Sequence, residues 1–190
     1  MPIHLDWVTA ALEVRAGRRS VAELNAMLEA AALSVAARKK TRTVLIRLWL
    51  EPRPELAALA ARGLGINTSA SDVAVTALSW GMAIASYPFF GKVVELGGRL
   101  SALQGDCASA EVHQRMSETY GEREGTYRMT NMVLQSQASW GVIERAEKGK
   151  RLIRRPPTTV QDDRAIAWLI EAALGSAARR CRWRACPRWR

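Results

Sequence analysis

The chain has 190 residues, enough for one large domain or two small ones, and its 48% hydrophobic and 24% charged residues are typical of a soluble globular protein. Its formal net charge of +10 indicates a polyanionic partner, although six arginines and no acid lie in the last twelve residues. The three cysteines and two histidines fit no zinc-site spacing, so we expect no metal and no cofactor. No leader of charged and then apolar residues begins the sequence, and a reduced, cytoplasmic protein is expected.

Residues 1–68 predict an N-terminal helical unit that resembles a helix-turn-helix. A short helix over residues 5–16 is followed by Ser20 and Glu23, which have the spacing of a capping box at the start of a second helix. A break at residues 33–34 then leads into a third helix. A helix, a tight break and a helix with a basic first half are the pattern of a helix-turn-helix, although any helical bundle can show it.

The basic first half of the third helix is a candidate phosphate-binding patch, and a solvated charged face is the alternative. Its residues are Arg38, Lys39, Lys40 and Arg42. Pro52 ends this helix, and a further helix over residues 55–62 is predicted to end at Gly63.

Residues 69–104 predict apolar central helices. No charged residue occurs from Val73 to Gly91, a length that can span a bilayer, but polar residues and Pro88 lie inside it. We expect a buried helix that bends or ends near Pro88, rather than a membrane span.

Residues 105–156 predict a winged helix-turn-helix. A helix begins near Ser109 and ends at Gly121, and a second helix, capped by Thr126, ends at Gly141. The buried stripe expected on the second helix consists of Met129, Met132, Val133 and Trp140.

A two-stranded hairpin follows the second helix, with strands at residues 142–144 and 151–155 and a turn at residues 147–150. The predicted fold class is therefore all-α: a mainly helical bundle plus a winged helix-turn-helix with a small two-stranded wing. Residues 157–175 predict a C-terminal helix, and residues 176–190 a basic tail that is expected to be disordered.

Double-stranded DNA is the predicted partner of this unit. A winged helix places its second helix in the major groove and its wing near the backbone. Side chains suited to base edges in that helix are Arg128, Asn131 and Gln135. Candidate phosphate contacts are Tyr127, Thr130, Lys148, Lys150 and Arg151.

Two alternatives to DNA binding remain open: a winged helix that binds a protein, and one that only braces the fold. Many winged helices bind proteins, and acidic residues temper the positive charge around this loop and wing. A protein–protein adaptor would use the winged helix as a docking module, with Leu134 and Ala138 exposed on the second helix. An enzyme is not predicted, because the sequence has no Ser/His/Asp set, no glycine-rich phosphate loop and no metal cluster.

Four segments occur in the order "RKKTRTVLIRLWL", "PELAALAARGL", "SWGMAIASYPFF" and "WGVIERAEKGK". In this order the chain resembles the BrxA family, the small helical proteins of bacterial BREX phage-defence loci, over about residues 5–155. The resemblance implies helix-turn-helix-like parts, DNA binding without catalysis and other defence-system proteins as partners. The arginine-rich tail lies outside it.

Overall fold

The computed structural model describes residues 2–67, 72–102, 105–156 and 159–184, without the side chains of residues 72–74 and 179–184. In this part the chain is mainly α-helical, as predicted, with one small antiparallel sheet. In chain order the elements are α1 (Leu5–Arg15), α2 (Val21–Ala30), α3 (Val35–Leu45), α4 (Ala57–Asn67), α5 (Asp72–Ser86), α6 (Pro88–Leu100), β1 (Asp106–Ala108), α7 (Ser109–Tyr120), α8 (Glu124–Ser139), β2 (Ile143–Ala146), β3 (Arg151–Arg154) and α9 (Asp163–Arg184).

The chain divides into two units. The helical unit comprises residues 6–88 and 159–190, and the wing unit comprises residues 1–5 and 89–158. A π-helical turn at Ile46–Leu50 continues α3, and 3-10 turns lie at Pro54–Leu56 and at Glu147–Gly149.

The start of α2 confirms the predicted capping box. Ser20 Oγ accepts a hydrogen bond from the backbone N–H of Glu23 (3.2 Å), and Glu23 Oε2 accepts one from the backbone N–H of Ser20 (2.7 Å). Each side chain thus satisfies an amide that the helix itself leaves unpaired. Ser34 caps α3 in the same way, through the N–H of Ala37 at 3.3 Å.

The predicted helix end at Gly63 is wrong, because α4 continues to Asn67. The indole of Trp168 in α9 lies against this glycine, and a Cβ there would stand 3.0 Å from Cζ2 of Trp168. Trp168 Nε1 also donates to the carbonyl of Leu59 at 2.7 Å. Gly63 therefore gives room for a tryptophan inside a helix rather than ending the helix.

Pro88 separates α5 from α6, as the sequence predicts. Ser79 and Met82 of α5 are fully buried, which agrees with a central helix of the helical unit. Within the part of the chain that the structure describes, no helix combines the length and the apolarity that a bilayer span requires.

Helix α9 extends into the segment for which disorder is predicted. Its backbone remains helical to Arg184, so residues 176–184 continue the C-terminal helix. Residues 185–190, the remainder of the predicted tail, lie outside the described residues.

The sheet of the wing unit has three strands, where the sequence predicts two. The strand order is β1-β3-β2, all antiparallel, with Cys107 of β1 and Arg145 of β2 both paired with Leu152 of β3. The missed strand, β1, has only three residues and pairs with a partner far along the chain, so no local pattern indicates it.

The core of the wing unit lies between this sheet and helices α6, α7 and α8. Its buried residues are Val93, Cys107, Val112, Met116, Leu134 and Leu152. Val112 and Met116 are the buried residues of α7, and Gly121 ends that helix, as predicted, with φ +88°. Burial raises the pKa of the Cys107 thiol, which is consistent with a core side chain.

Candidate nucleic-acid interface

Helix α8 buries a different face from the one predicted. The predicted stripe is wrong at Met129, which is 45% exposed, while Met132 and Val133 are only partly buried. The residues that face the interior are Thr126, Thr130, Leu134, Gln137 and, at the end of the helix, Trp140. The exposure expected for the adaptor interpretation is wrong at Leu134, which is 1% exposed, and Ala138 is partly buried.

Thr130 cannot contact a phosphate, because its side chain is fully buried. Its hydroxyl donates to the carbonyl of Thr126 at 2.8 Å, and this internal hydrogen bond allows a polar side chain to lie in the core. We therefore remove Thr130 from the predicted set of phosphate contacts.

The outward face of α8 carries the three residues predicted to read bases. Arg128 is exposed and pairs with Glu124 one turn earlier. Asn131 and Gln135 follow on the same side and are partly buried. Helical geometry thus brings the predicted set together on one polar face, opposite the buried Thr126 and Gln137.

Tyr127 lies at the edge of this face and is 59% exposed. Its ring stacks on His113 of α7, with centroids 4.1 Å apart and planes inclined by 21°. Burial lowers the pKa of His113, and the positive charge of Arg145 lowers it further. Burial and the charge of Arg145 therefore favour a neutral imidazole beneath the exposed phenol.

Arg145 links the wing to α8, and sequence reasoning missed it. Its Nη2 donates to Oδ1 of Asn131 at 2.9 Å. The guanidinium also lies across the wing turn, where a Cβ on Gly149 would stand 2.5 Å from Nη2. An arginine in the first strand of a predicted hairpin resembles any solvated cation, so the sequence gives no signal of this role.

The tip of the wing presents two lysines to solvent. Glu147, Lys148 and Gly149 all have positive φ values, of 52°, 57° and 87°. This tight turn exposes Lys148 and Lys150, and neither forms an ion pair with a described residue. Their charge is therefore available for an external anion.

Two other arginines of the wing, Arg151 and Arg155, form ion pairs with acids. Arg151 donates to Asp106 Oδ2 from Nε (2.9 Å) and from Nη2 (2.6 Å), and these hydrogen bonds raise the pKa of Arg151. Arg155 pairs with Glu144 at 3.1 Å. Arg154 is exposed and has no ion pair in the described part of the chain. Arg151 thus connects β3 to β1, whereas Arg154 is available to bind an external anion.

The chain's N-terminal residues hold the far end of α8. The backbone N–H of Ile3 donates to Ser136 Oγ at 2.9 Å, and Trp140 Nε1 donates to the carbonyl of Ile3 at 2.8 Å. Trp140 is thereby a core anchor with a satisfied indole, as predicted for a residue on the buried side. These contacts join residues more than 130 positions apart, which no sequence pattern reveals.

The basic patch on α3 belongs to the helical unit. Lys39, Lys40 and Arg42 are exposed and form no ion pair with a described residue. Arg38 differs, because it is partly buried and its guanidinium lies 3.6 Å from a carboxylate oxygen of Glu29. Arg47 is also exposed and follows two turns after Lys40, so the sequence-based patch omits one cation.

The wing unit also has an open cleft of about 500 Å³ beside β1. Asp106, Glu111, Lys150 and Arg151 line it and mix both signs of charge. In the residues that the structure describes, no group of His, Cys, Asp and Glu side chains could hold a metal ion.

Comparisons of this chain with protein-family models, with curated proteins and with solved structures found no significant match.

Proposed function

We propose that this chain is a non-catalytic DNA-binding protein whose wing unit is a winged helix-turn-helix. The order α6, β1, α7, α8, β2, β3 supports this, since helices α7 and α8 are joined by a short loop and followed by a hairpin with an exposed tip. The third strand, β1, ties the base of that hairpin to the start of α7.

One observation supports the proposal most directly: a hydrogen bond holds the wing, with its unpaired lysines, against the polar face of α8. The hydrogen bond from Arg145 to Asn131 fixes the wing against the outward face of α8. A major groove would then receive α8, while Lys148 and Lys150 meet the phosphate backbone beside it.

The residues take different roles in this proposal. Arg128 and Gln135 contact base edges, and Arg128 must first leave Glu124. Tyr127, Lys148, Lys150 and Arg154 contact phosphates. The patch of Lys39, Lys40 and Arg42 supplies a second, sequence-independent contact with DNA.

The biological setting is proposed from the resemblance to the BrxA family. In that setting the protein acts in the cytoplasm as a DNA-binding component of a phage-defence system, with other defence proteins as partners. The absence of catalysis is proposed from the same family resemblance.

A salt titration of duplex binding tests the proposal. The double variant Lys148→Ala with Lys150→Ala should bind a random duplex more weakly and lower the magnitude of the slope of log K against log[salt] by about 2, roughly one per phosphate contact. The wing role is contradicted if both affinity and slope stay unchanged.

The matched control is Arg62→Ala with Arg164→Ala, which also removes two positive charges. Both arginines are already paired, with Glu171 (2.5 Å) and Asp162 (2.8 Å), and belong to the helical unit. This control should leave the slope within about 0.5 of the parent value. An equal fall in slope for both double variants would indicate only a response to net charge.

A further inference from the structure

Helix α9 has one buried face and one exposed apolar face. The buried side packs on α4 and α5 within the helical unit, through Ala165, Trp168 and Ala172. The other side exposes three large aliphatic side chains at i, i+4 and i+8: Ile166 (40% exposed), Ile170 (56%) and Leu174 (65%). They form one stripe along the helix, and such contiguous apolar surface is uncommon on a chain without a partner.

The stripe is symmetric about its centre. Ile166 and Leu174 lie four residues on either side of Ile170, and the exposed alanines Ala167 and Ala173 lie three residues on either side. A two-fold axis through Ile170 would bring Ile166 of one copy against Leu174 of the other. The alanines would let the two helix axes approach closely. A surface that is complementary to itself in this way is what a two-fold symmetric dimer requires.

The charges along α9 favour the antiparallel arrangement. The exposed Asp163 begins the helix, and the sequence places Arg179 and Arg180 near its other end. An antiparallel pair brings acidic and basic ends together, whereas a parallel pair would bring like charges together. The opposed dipoles of two antiparallel helices also favour this arrangement.

We propose that the stripe of Ile166, Ile170 and Leu174 binds a second copy of this chain, with the two α9 helices antiparallel. This stripe shares no residue with the proposed DNA contacts, and the proposed dimer does not depend on them. A contact between two single helices is smaller than the standard interface of about 1,600 Å², so self-association should be reversible and of roughly micromolar strength.

Sedimentation of the full chain over a range of concentrations tests the dimer. The expected result is a reversible monomer–dimer equilibrium that Leu174→Glu weakens at least about tenfold. The control is Val35→Glu, which places the same charge on a valine that is 80% exposed in α3 and should leave the equilibrium unchanged. A monomer at every concentration, or a dimer that Leu174→Glu does not weaken, overturns the proposal.

Cysteine cross-linking tests the orientation, in a background with Cys181→Ser and Cys186→Ser. Ile170→Cys should form a disulfide with its own copy under mild oxidation. Ile166→Cys should cross-link little alone but efficiently when mixed with Leu174→Cys. Self-linking of all three variants would indicate a parallel pair and would contradict the antiparallel arrangement. Circular dichroism of each variant establishes that the helices remain folded.

Discussion

Arg145 in β2 donates a hydrogen bond from Nη2 to Oδ1 of Asn131 in α8, over 2.9 Å. The bond uses one of the two lone pairs of Oδ1, in an amide side chain that the sequence predicts to contact bases. The second lone pair and the N–H groups of the Asn131 amide are not used by this bond. Asn131 is therefore a link between helix and wing as well as a candidate DNA contact.

We expect Arg145→Ala to weaken duplex binding about tenfold and to lower the free energy of unfolding by about 1–2 kcal/mol, because a charge-assisted hydrogen bond is lost. The readouts are fluorescence anisotropy with a labelled duplex and urea denaturation.

A double-mutant cycle with Asn131→Ala separates positioning from direct contact. If Arg145 acts through Asn131, the double variant should lose clearly less than the sum of the two single variants. Additive losses would mean that Arg145 contacts DNA independently. Arg115→Ala, which removes an exposed cation paired with Glu118 on α7, is the control and should bind DNA like the parent.

The burial of His113 should make the protein's stability depend on pH. The pKa of His113 is lowered by burial and then by Arg145, so the unfolded chain binds this proton more tightly than the folded chain. The contribution of neutral His113 to the free energy of unfolding is complete above the unfolded pKa of about 6.5, and it is lost as pH falls through the folded pKa. We expect a lower Tm at about pH 5.5 than at about pH 7.5.

His113→Gln should reduce this difference in Tm between the two pH values, because it removes the titrating group. His4→Gln, which replaces the chain's other histidine outside this cluster, should retain it. A difference in Tm that persists unchanged in His113→Gln would assign the pH dependence to other groups.

Close packing around Trp168 should make the stability change on substitution by alanine differ between two glycines of the helical unit. A Cβ on Gly81 would stand 2.5 Å from Cζ3 of Trp168, whereas a Cβ on Gly65 meets nothing within 4 Å. We expect Gly81→Ala to destabilise the protein by about 1–3 kcal/mol through overpacking. Gly65→Ala should be neutral or stabilise by up to about 1 kcal/mol, since it removes chain entropy from the unfolded state.

Thermal and urea denaturation of the two variants check this prediction. Equal stabilities for Gly81→Ala and Gly65→Ala would show that α9 does not pack on α5 as closely as the ring positions indicate.

The patch on α3 should contribute to DNA affinity without sequence preference. Replacing Lys39, Lys40 and Arg42 together by alanine should lower the magnitude of the salt slope by about 3 and weaken specific and random duplexes equally. Replacing Arg128 instead should weaken a preferred sequence more than a random one. An unchanged slope in the triple variant would restrict DNA binding to the wing unit.

Local signals in the sequence predicted much of the fold. Four such signals act over only a few residues, and the structure has each of them. They are the Ser20–Glu23 capping box, the break at Pro88, the glycines that end α7 and α8, and the wing hairpin. Such signals depend on caps and backbone conformations, which the residue types themselves specify. The cap predicted at Thr126 is wrong, because α8 begins two residues earlier, at Glu124.

Non-local contacts account for what the sequence could not show. Thr130 is polar and the sequence predicts that it contacts phosphates, but its internal hydrogen bond lets it face the core, while Met129 is exposed. Gly63 lies inside a helix because a tryptophan far along the chain packs against it. Arg145 becomes a brace only when the hairpin folds back on α8.

The hydrogen bonds of Ile3 to Ser136 and Trp140 have a practical consequence for experiments on this protein. An affinity tag fused ahead of Pro2 would emerge next to the C-terminal end of α8, beside the surface that we propose for DNA. A polyhistidine tag there would add its own cationic contacts to the measured affinity, particularly in acidic buffers. Binding measurements should therefore be made after the tag has been cleaved.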